Sequence, residues 1–314
     1  MPLQMIGVSL TGSFPQGMPA LGELFDNVRR VERLGYDALW SGDHIIMHSP
    51  IMDVMTVLAS FAALTERIKL GTAVYLLPLR HPVATAKQVA SLDLLSGGRF
   101  IFGVGVGGEI RREFEAVGVP VTERGRRTDE ALDILTRVLS QAHVTYEGKY
   151  YQIHDVTLEP RPQQQPYPPL WIGGRSEAAV RRTARYASGW LGYLVSSQRL
   201  REAMQQIQHL APTYGRDPVA IQGGMLLFTA MARDYETARQ MAIANLSRRY
   251  NQPFESLVER YCVLGTPEQC LEKVATFVEA GMSNLVFSFT CPADQMATQL
   301  EWCAADLLPR LRLL

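Results

Sequence analysis

The stretch Ile68-Lys-Leu-Gly-Thr-Ala-Val-Tyr-Leu76 is followed by Ala84-Thr-Ala-Lys-Gln-Val-Ala-Ser-Leu-Asp-Leu-Leu95, then Ser96-Gly97-Gly98, then Arg99-Phe-Ile-Phe-Gly-Val-Gly-Val106. The first and last pieces are short apolar runs rich in β-branched and aromatic residues, the pattern of strands buried on both faces. Ala84 to Leu95 has the length of a helix, and the glycine pair closes it. Strand, helix and strand in this order make a βαβ unit, whose two strands must run parallel.

The same alternation extends in both directions. Upstream, Gln4 to Leu10 reads as a strand and Leu21 to Leu34 as a helix with Leu21, Leu24, Phe25, Val28 and Val31 on one face, stopped by Gly35. Asp37 to Trp40 is a second strand and Asp53 to Leu64 a second helix. Downstream, Arg126 to Leu139 is a helix, Leu170 to Ile172 a strand and Ser176 to Tyr186 a helix. Strand Gly189 to Leu194 precedes helix Gln198 to Tyr214, and Val219 to Ala232 precedes helices Tyr235 to Tyr250 and Glu255 to Tyr261. Helix Pro267 to Ala280, strand Asn284 to Phe289 and helix Met296 to Leu308 complete the chain. Eight β/α units predict an α/β fold, a (β/α)8 TIM barrel, with an insertion after the fourth unit. An open doubly wound sheet is the alternative, though it is usually built from fewer units. On this reading residues 1–314 form one barrel domain, although length alone suggests two.

The insertion is Val144 to Pro169, with Tyr146, Tyr150, Tyr151 and Tyr167 and the run Pro160-Arg-Pro-Gln-Gln-Gln-Pro-Tyr-Pro-Pro169. Those prolines exclude helix and central strand. A short hairpin around Glu147-Gly148 with an extended return is expected. It is placed either as a flap over the barrel mouth or packed on the barrel, and its tyrosines fit both.

Lys plus Arg and Asp plus Glu both total 31, a net charge of zero, which argues against nucleic acid or an anionic membrane surface as the main partner. The cations are 27 Arg against four Lys, read as genome bias or as selection for bidentate anion contacts. Cys262, Cys270, Cys291 and Cys303 form no C-x-x-C pair and no zinc-ligand spacing with histidine, so buried free thiols are expected. The longest near-apolar stretch, Val54 to Leu64, has 11 residues, too short for a bilayer. A cytoplasmic protein is the expectation.

In a barrel, function sits where strands end. Strand ends here carry Asp43-His44, Gly71-Thr-Ala-Val74, Gly103-Val-Gly-Val-Gly-Gly-Glu109 and Gly173-Gly-Arg-Ser176. Gly173, Gly174, Arg175 and Ser176 read as an anion site, with close backbone approach, a capping serine and a helix N-terminus reinforced by a guanidinium. A plain turn with a capping serine is equally consistent. Gly105, Val106 and Gly107 are not in the dinucleotide G-x-G-x-x-G spacing, which leaves a backbone contact to a flat ligand. His44 can titrate near neutrality and act as acid, base or hydrogen-bond donor, or serve structurally. His48 suggests a metal pair, but the other histidines do not supply a hydrolase ligand pattern. No G-x-S-x-G elbow is present.

The segments Gly35-Tyr-Asp-Ala-Leu-Trp-Ser-Gly-Asp-His44, Thr65-Glu-Arg-Ile-Lys-Leu-Gly-Thr-Ala-Val74, His81-Pro82 and Ala90-Ser-Leu-Asp-Leu-Leu-Ser-Gly-Gly-Arg-Phe100 together resemble the bacterial luciferase-like monooxygenase superfamily. The continuation Glu113-Phe-Glu-Ala-Val-Gly-Val-Pro120, Arg126-Arg-Thr-Asp-Glu-Ala131 and Pro169-Leu-Trp-Ile-Gly-Gly-Arg-Ser176 resembles its branch that uses the deazaflavin coenzyme F420. FMN-using members share most of these motifs. The resemblance covers residues 4 to 195 most strongly. It implies a barrel with a flat ring at its mouth and a non-prolyl cis peptide at Ala73–Val74 behind that ring. It also implies ring contacts at Asp43 and His44, proton transfer by His44, a carboxylic acid at Glu109 and a phosphate-binding turn at Gly173 to Ser176. Arg80, Arg111 and Arg112 would meet an anionic cofactor tail or stand solvated.

The resulting expectation is a coenzyme F420-dependent oxidoreductase that exchanges hydride with a small organic substrate, with His44 or Glu109 moving the proton. The alternative is an FMN-dependent monooxygenase using O2. Reduced cofactor would come from a separate flavin or F420 reductase or dehydrogenase. A non-catalytic cofactor binder and a metal-dependent hydrolase are readings of other classes. By the same resemblance a homodimer or homotetramer is expected.

Overall fold

A computed structural model describes residues 2–11 and 13–314, and nothing is stated of the Thr11 side chain. In the βαβ unit quoted above, β-strand Lys69–Thr72 and helix Pro82–Leu95 precede strand Phe100–Gly105. The chain contributes eight barrel strands in order: β1 (Met5–Thr11), β2 (Ala38–Ser41), β3 (Lys69–Thr72), β4 (Phe100–Gly105), β5 (Leu170–Gly173), β6 (Gly189–Tyr193), β7 (Gln222–Met231) and β8 (Asn284–Phe289). Each pairs in parallel with the next, and β8 returns to β1 with Met5 beside Asn284, so the sheet closes. This is the (β/α)8 barrel expected from the alternation.

The barrel interior is filled by two indoles set against glycines. Trp40 and Trp171 meet edge to face at 5.9 Å. A Cβ at Gly7 or Gly71 would come within 2.7 or 2.3 Å of the Trp40 ring, and one at Gly189 or Gly224 within 2.5 or 2.4 Å of Trp171. Large residues on some strands thus need vacancies on their neighbours for the centre to reach native packing density. Outside the barrel, helices lay apolar faces against the strands. Helix Leu21–Arg33 buries Leu24, Asn27, Val28 and Val31. Leu21, expected on that face, is 54% exposed because it opens the helix beyond the edge of the core.

Several elements depart from the sequence reading. The third strand breaks after Thr72 and resumes as Tyr75–Leu76, which pairs with β4. A short helix, Arg111–Ala116, follows β4. Strand Val263–Gly265 pairs with Thr229 to Met231, because the ten-residue β7 extends past its barrel neighbours. The helix begun near Gln198 ends at Leu210, where Pro212 continues it only as a 3₁₀ turn. The last helix is interrupted by a π segment at Cys303–Leu307.

The expected hairpin forms, with Val144–Glu147 antiparallel to Gln152–Val156. None of residues 144–169 lines the large cavity at the strand carboxyl ends, so the flap is excluded and packing on the barrel is what occurs. Glu130 accepts from the Lys149 and Tyr150 amides, and Gln164 binds Asp93 and the Phe100 carbonyl. The reason is topological. A chain leaving a barrel helix is at the amino-terminal end of the strands, where Phe100 begins β4, and the mouth is at the other end. All four cysteines are buried and free. No helix among the described residues is long and apolar enough to cross a membrane.

These glycine positions differ sharply in what they tolerate. Gly103→Ala would place a Cβ 2.0 Å from the Thr72 carbonyl oxygen, and it should cost about 2 kcal/mol or more. Gly22→Ala, helical and with open space around it, should instead gain about 0.5 kcal/mol. Urea unfolding midpoints check both signs; equal midpoints for the two variants would refute the packing argument.

Candidate functional site

The carboxyl ends of the strands surround a cavity of about 450 Å3. Asp43, His44, Ala73, Val74, Gly105, Val106, Gly107, Glu109, Gly173, Gly174, Arg175 and Ser176 all line it. The catalytic and cofactor-contacting residues expected at the strand ends therefore stand at one place, although they come from the ends of four strands. Leu191, Leu226 and Phe228 add apolar wall on the β6–β7 side.

The floor on the β3 side is the bulge between Thr72 and Tyr75, after which the chain resumes parallel to β4. The Ala73–Val74 peptide is cis. The Val74 side chain sits over the ends of β4 and β5: a Cβ on Gly105 would lie 2.4 Å from its Cγ2, and one on Gly173 would lie 2.6 Å from its Cγ1. This revises the reading of these glycines. Their backbones line the cavity, but it is Val74 that takes the room a side chain would fill. Thr72 Oγ1 ties the same region to β4, accepting from the Gly103 amide at 2.8 Å and donating to the Gly103 carbonyl at 2.7 Å.

Asp43 secures the far side of the bulge. Its carboxylate accepts from the Leu76 amide at 2.9 Å and from both Arg80 Nη atoms, at 2.5 and 2.8 Å. That carboxylate has no exposed surface, so its part is to hold the bulge. The ring contact expected for Asp43 is left to other atoms of the residue. Arg80 is committed to Asp43 and lies 4.5 Å over the Tyr75 ring, and it does not line the cavity. Arg111 and Arg112 are exposed and do not line it either. None of the three is placed to meet an anionic tail.

His44 has a buried partner that the sequence reading missed. Its Nδ1 lies 3.2 Å from both carboxylate oxygens of Glu113, which also accepts from the Ile45 amide at 3.2 Å. The Glu113 side chain has no exposed surface. Burial pushes the imidazole pKa down, but the hydrogen bond and charge of Glu113, with Asp43 and Glu109 adding, override it, and the net shift is upward. Holding Nδ1 on a carboxylate leaves Nε2 as the nitrogen available to a ligand, the orientation a proton-transfer imidazole needs. The sequence signal for Glu113 is faint, a glutamate inside Arg111-Arg-Glu-Phe114 with nothing to show that it points inward.

At the opposite lip, the Tyr193 hydroxyl donates to Glu109 Oε1, and Arg175 lies 5.3 Å over the Tyr193 ring. Tyr193 also escaped the sequence reading, although it ends β6 and the strand-end rule points to it. Burial and the Glu109 charge hold its phenol well above the ordinary tyrosine range. Next to it is the expected turn: Gly174 has φ +125°, and Ser176 caps helix Glu177–Tyr186 by accepting from the Ala179 amide at 3.3 Å. The turn thus presents a helix N-terminus and a guanidinium to the cavity.

The charges lining the cavity do not cancel. Arg182 is neutralised by Asp129 at 2.6 Å. Arg124 spends one nitrogen on the Val121 carbonyl, Arg175 stacks on Tyr193, and Arg249 has one hydroxyl contact; none makes an ion pair among the described residues. Against these three cations stands Glu109, the lining carboxylate that has no cationic partner. A cavity with an apolar floor and the Arg175 guanidinium at its capped turn fits a flat ring carrying a phosphate-bearing tail. No group of three or more His, Cys, Asp or Glu among the described residues is arranged to hold a metal ion.

The chain resembles known proteins over most of its length. The family model for luciferase-like monooxygenases matches residues 5–284. An F420-dependent glucose-6-phosphate dehydrogenase of Intrasporangium calvum is 27% identical, over 92% of this chain and 95% of its own. An FMNH(2)-dependent dimethylsulfone monooxygenase of Pseudomonas putida is 26% identical, over 82% of this chain and 78% of its own. The solved structure of monooxygenase RslO1 from Streptomyces bottropensis superposes with a TM-score of 0.84 at 23% identity, covering 98% of this chain and 99% of that one, a likeness of fold.

The His44–Glu113 pair makes a signed prediction. Glu113→Gln removes the charge that outweighs burial, so the His44 pKa should fall below its wild-type value, read by NMR titration of the imidazole. A folded-state value raised above the unfolded one of about 6.5 stabilises the protein at lower pH, and this contribution fades as pH rises through the folded value. The Gln variant should lose that acid-side stabilisation. An unshifted His44 titration in the variant would remove Glu113 as its partner.

Proposed function

The chain belongs to the luciferase-like monooxygenase family, and on that premise we propose that it is a coenzyme F420-dependent oxidoreductase acting on a small organic substrate. The observation that carries the reading is the pairing, in one cavity, of His44 braced on buried Glu113 with the Arg175–Ser176 turn and its guanidinium. The named activity of the Intrasporangium calvum relative favours the deazaflavin. The Pseudomonas putida relative supports FMN as the alternative, in a monooxygenase that uses O2.

The residues divide the work as follows. Gly173, Gly174, Arg175 and Ser176 would hold the cofactor's phosphate through backbone amides, the capped helix N-terminus and the guanidinium. Ala73 and Val74, with the backbones of Gly105, Val106 and Gly107, offer the flat apolar surface for the ring. When bound, the deazaflavin supplies exchange of a hydride with a carbon of the substrate. His44 Nε2 takes or returns the accompanying proton, and Glu113 keeps the imidazole in the orientation and charge state for it. Glu109, already bonded to Tyr193, is the second carboxylate within the cavity and the alternative proton carrier. Leu191, Leu226 and Phe228 exclude water from the substrate side. Reduced cofactor is regenerated by a separate reductase or dehydrogenase.

Titration of the purified protein with F420 and with FMN tests the cofactor. Micromolar or tighter F420 binding is expected, weakened about tenfold or more in Arg175→Ala. Micromolar FMN binding without F420 binding would transfer the reading to the monooxygenase. His44→Gln should retain cofactor affinity while turnover with an identified substrate falls about 10²-fold or more; unchanged turnover would remove His44 from the proton path.

A further inference from the structure

The wall facing the Gly173–Ser176 turn holds a buried cation that the proposed function does not use. Arg249 lies near the end of helix Tyr235–Tyr250 and is 8% exposed. Its Nη1 donates to Ser288 Oγ at 3.4 Å, and the guanidinium lies 5.7 Å from the Phe228 ring. Its Nε has no hydrogen-bond partner, and among the described residues no carboxylate pairs with it. An arginine buried without a counter-ion is costly, and native proteins rarely leave a buried guanidinium N–H unmade. Arg249 lines the main cavity and, together with Ser9 and Ser288, a side chamber of about 60 Å3 that adjoins it. That chamber also holds two further buried atoms without partners, Ser13 Oγ and Asn245 Oδ1. Glu23, the acidic residue lining the chamber, is exposed and forms no ion pair with Arg249.

The position around the barrel gives the unmade bonds a meaning. Ser9 is on β1 and Ser288 on β8, while the phosphate turn follows β5 and the Val74 floor follows β3. In an eight-stranded barrel β1 stands directly across from β5. Arg249 therefore faces whatever lies on the floor from the opposite side of the mouth, where a substrate must enter. We propose that Arg249 is the residue that recognises the substrate, and that the substrate carries an oxyanion, a carboxylate or a phosphate, which the cavity-lining Arg249 guanidinium, short of protein partners, grips from the wall. This rests on the cofactor occupying the β3–β5 side of the cavity. Guanidinium in a low-dielectric wall favours planar, two-oxygen acceptors, and a neutral group of the same shape leaves the cation unsatisfied.

The test uses sodium benzoate and phenyl phosphate as probes, with benzamide as the uncharged match, measured by calorimetry on protein saturated with the cofactor that binds it. Either oxyanion should bind at least tenfold tighter than benzamide, and the stronger of the two identifies the head group. Arg249→Met should lose that binding at least tenfold, while cofactor affinity stays within about twofold and the thermal midpoint is unchanged or higher, because an uncompensated buried charge is removed. Arg249→Gln should show the same loss. Equal oxyanion binding in wild type and either variant overturns the proposal, as does oxyanion binding no tighter than benzamide in wild type. A thermal midpoint several degrees lower in both variants would assign Arg249 a structural role and overturn it too. Failure of the cofactor reading has a separate signature, no binding of F420 or FMN to wild type. In that case the probes are applied to the cofactor-free protein, with Arg175→Ala separating binding at the turn from binding at Arg249.

Discussion

The side chain of Val74 is the piece on which the site depends. It occupies space that side chains on Gly105 and Gly173 would fill, with Gly103 close by. Val74 thus packs against the carboxyl ends of β4 and β5 from the third strand, and the chain bulges after Thr72 before rejoining β4 at Tyr75. Two polar ties keep it there: Thr72 Oγ1 on both backbone groups of Gly103, and the Asp43 carboxylate on the Leu76 amide. Because interiors are close-packed, the floor cannot relax by small amounts. A methyl group added at any of these glycines meets backbone or Val74 directly.

Charge at the mouth is partitioned by what each group is already bound to. Asp43 and Arg80 neutralise each other below the surface, and Asp129 does the same for Arg182. Those pairs position chain segments and leave nothing for a ligand. Glu113 is a third case, a buried carboxylate whose partner is the cavity-lining His44, so its charge reaches the cavity through the imidazole. What remains for a ligand is a set of donors: the capped turn with Arg175, Arg124 and Arg249. The arrangement asks for anions at two opposed places, one at the turn after β5 and one beside β1 and β8.

The arginine excess looks different in the folded protein than in the composition. The Arg99 guanidinium alone makes five hydrogen bonds, to Ser96, Thr65, Ile68 and Ala62, closing the turns at the start of β3 and β4. Arg80, Arg182 and Arg216 are likewise tied to carboxylates or carbonyls. A planar fork suits these multi-acceptor corners, which lysine could not serve. Arg175, singled out from sequence because it follows Gly-Gly at a strand end, is one of several with a physical reason for its identity.

Alternating strands and helices, strand ends rich in glycine, and a serine capping the helix after β5 are local features, and local chemistry was enough to place the eight strands, the hairpin and a dozen residues that line one cavity. Hydrophobic period and turn residues act within a few positions of themselves, which is why they can be read along the chain. Glu113, Tyr193 and Arg249 could not be found that way as a set. Each acquires its role from a partner far along the chain: His44 for Glu113, Glu109 for Tyr193, Ser288 for Arg249. The insertion at 144–169 shows the same limit, since its tyrosines were legible but the end of the barrel they pack on was set by the direction of the preceding helix. Sequence determined which elements form and which loops gather at the mouth. Only the closed barrel decided which buried charges meet a partner and which are left facing the cavity, because that depends on distances across the barrel that no local pattern encodes.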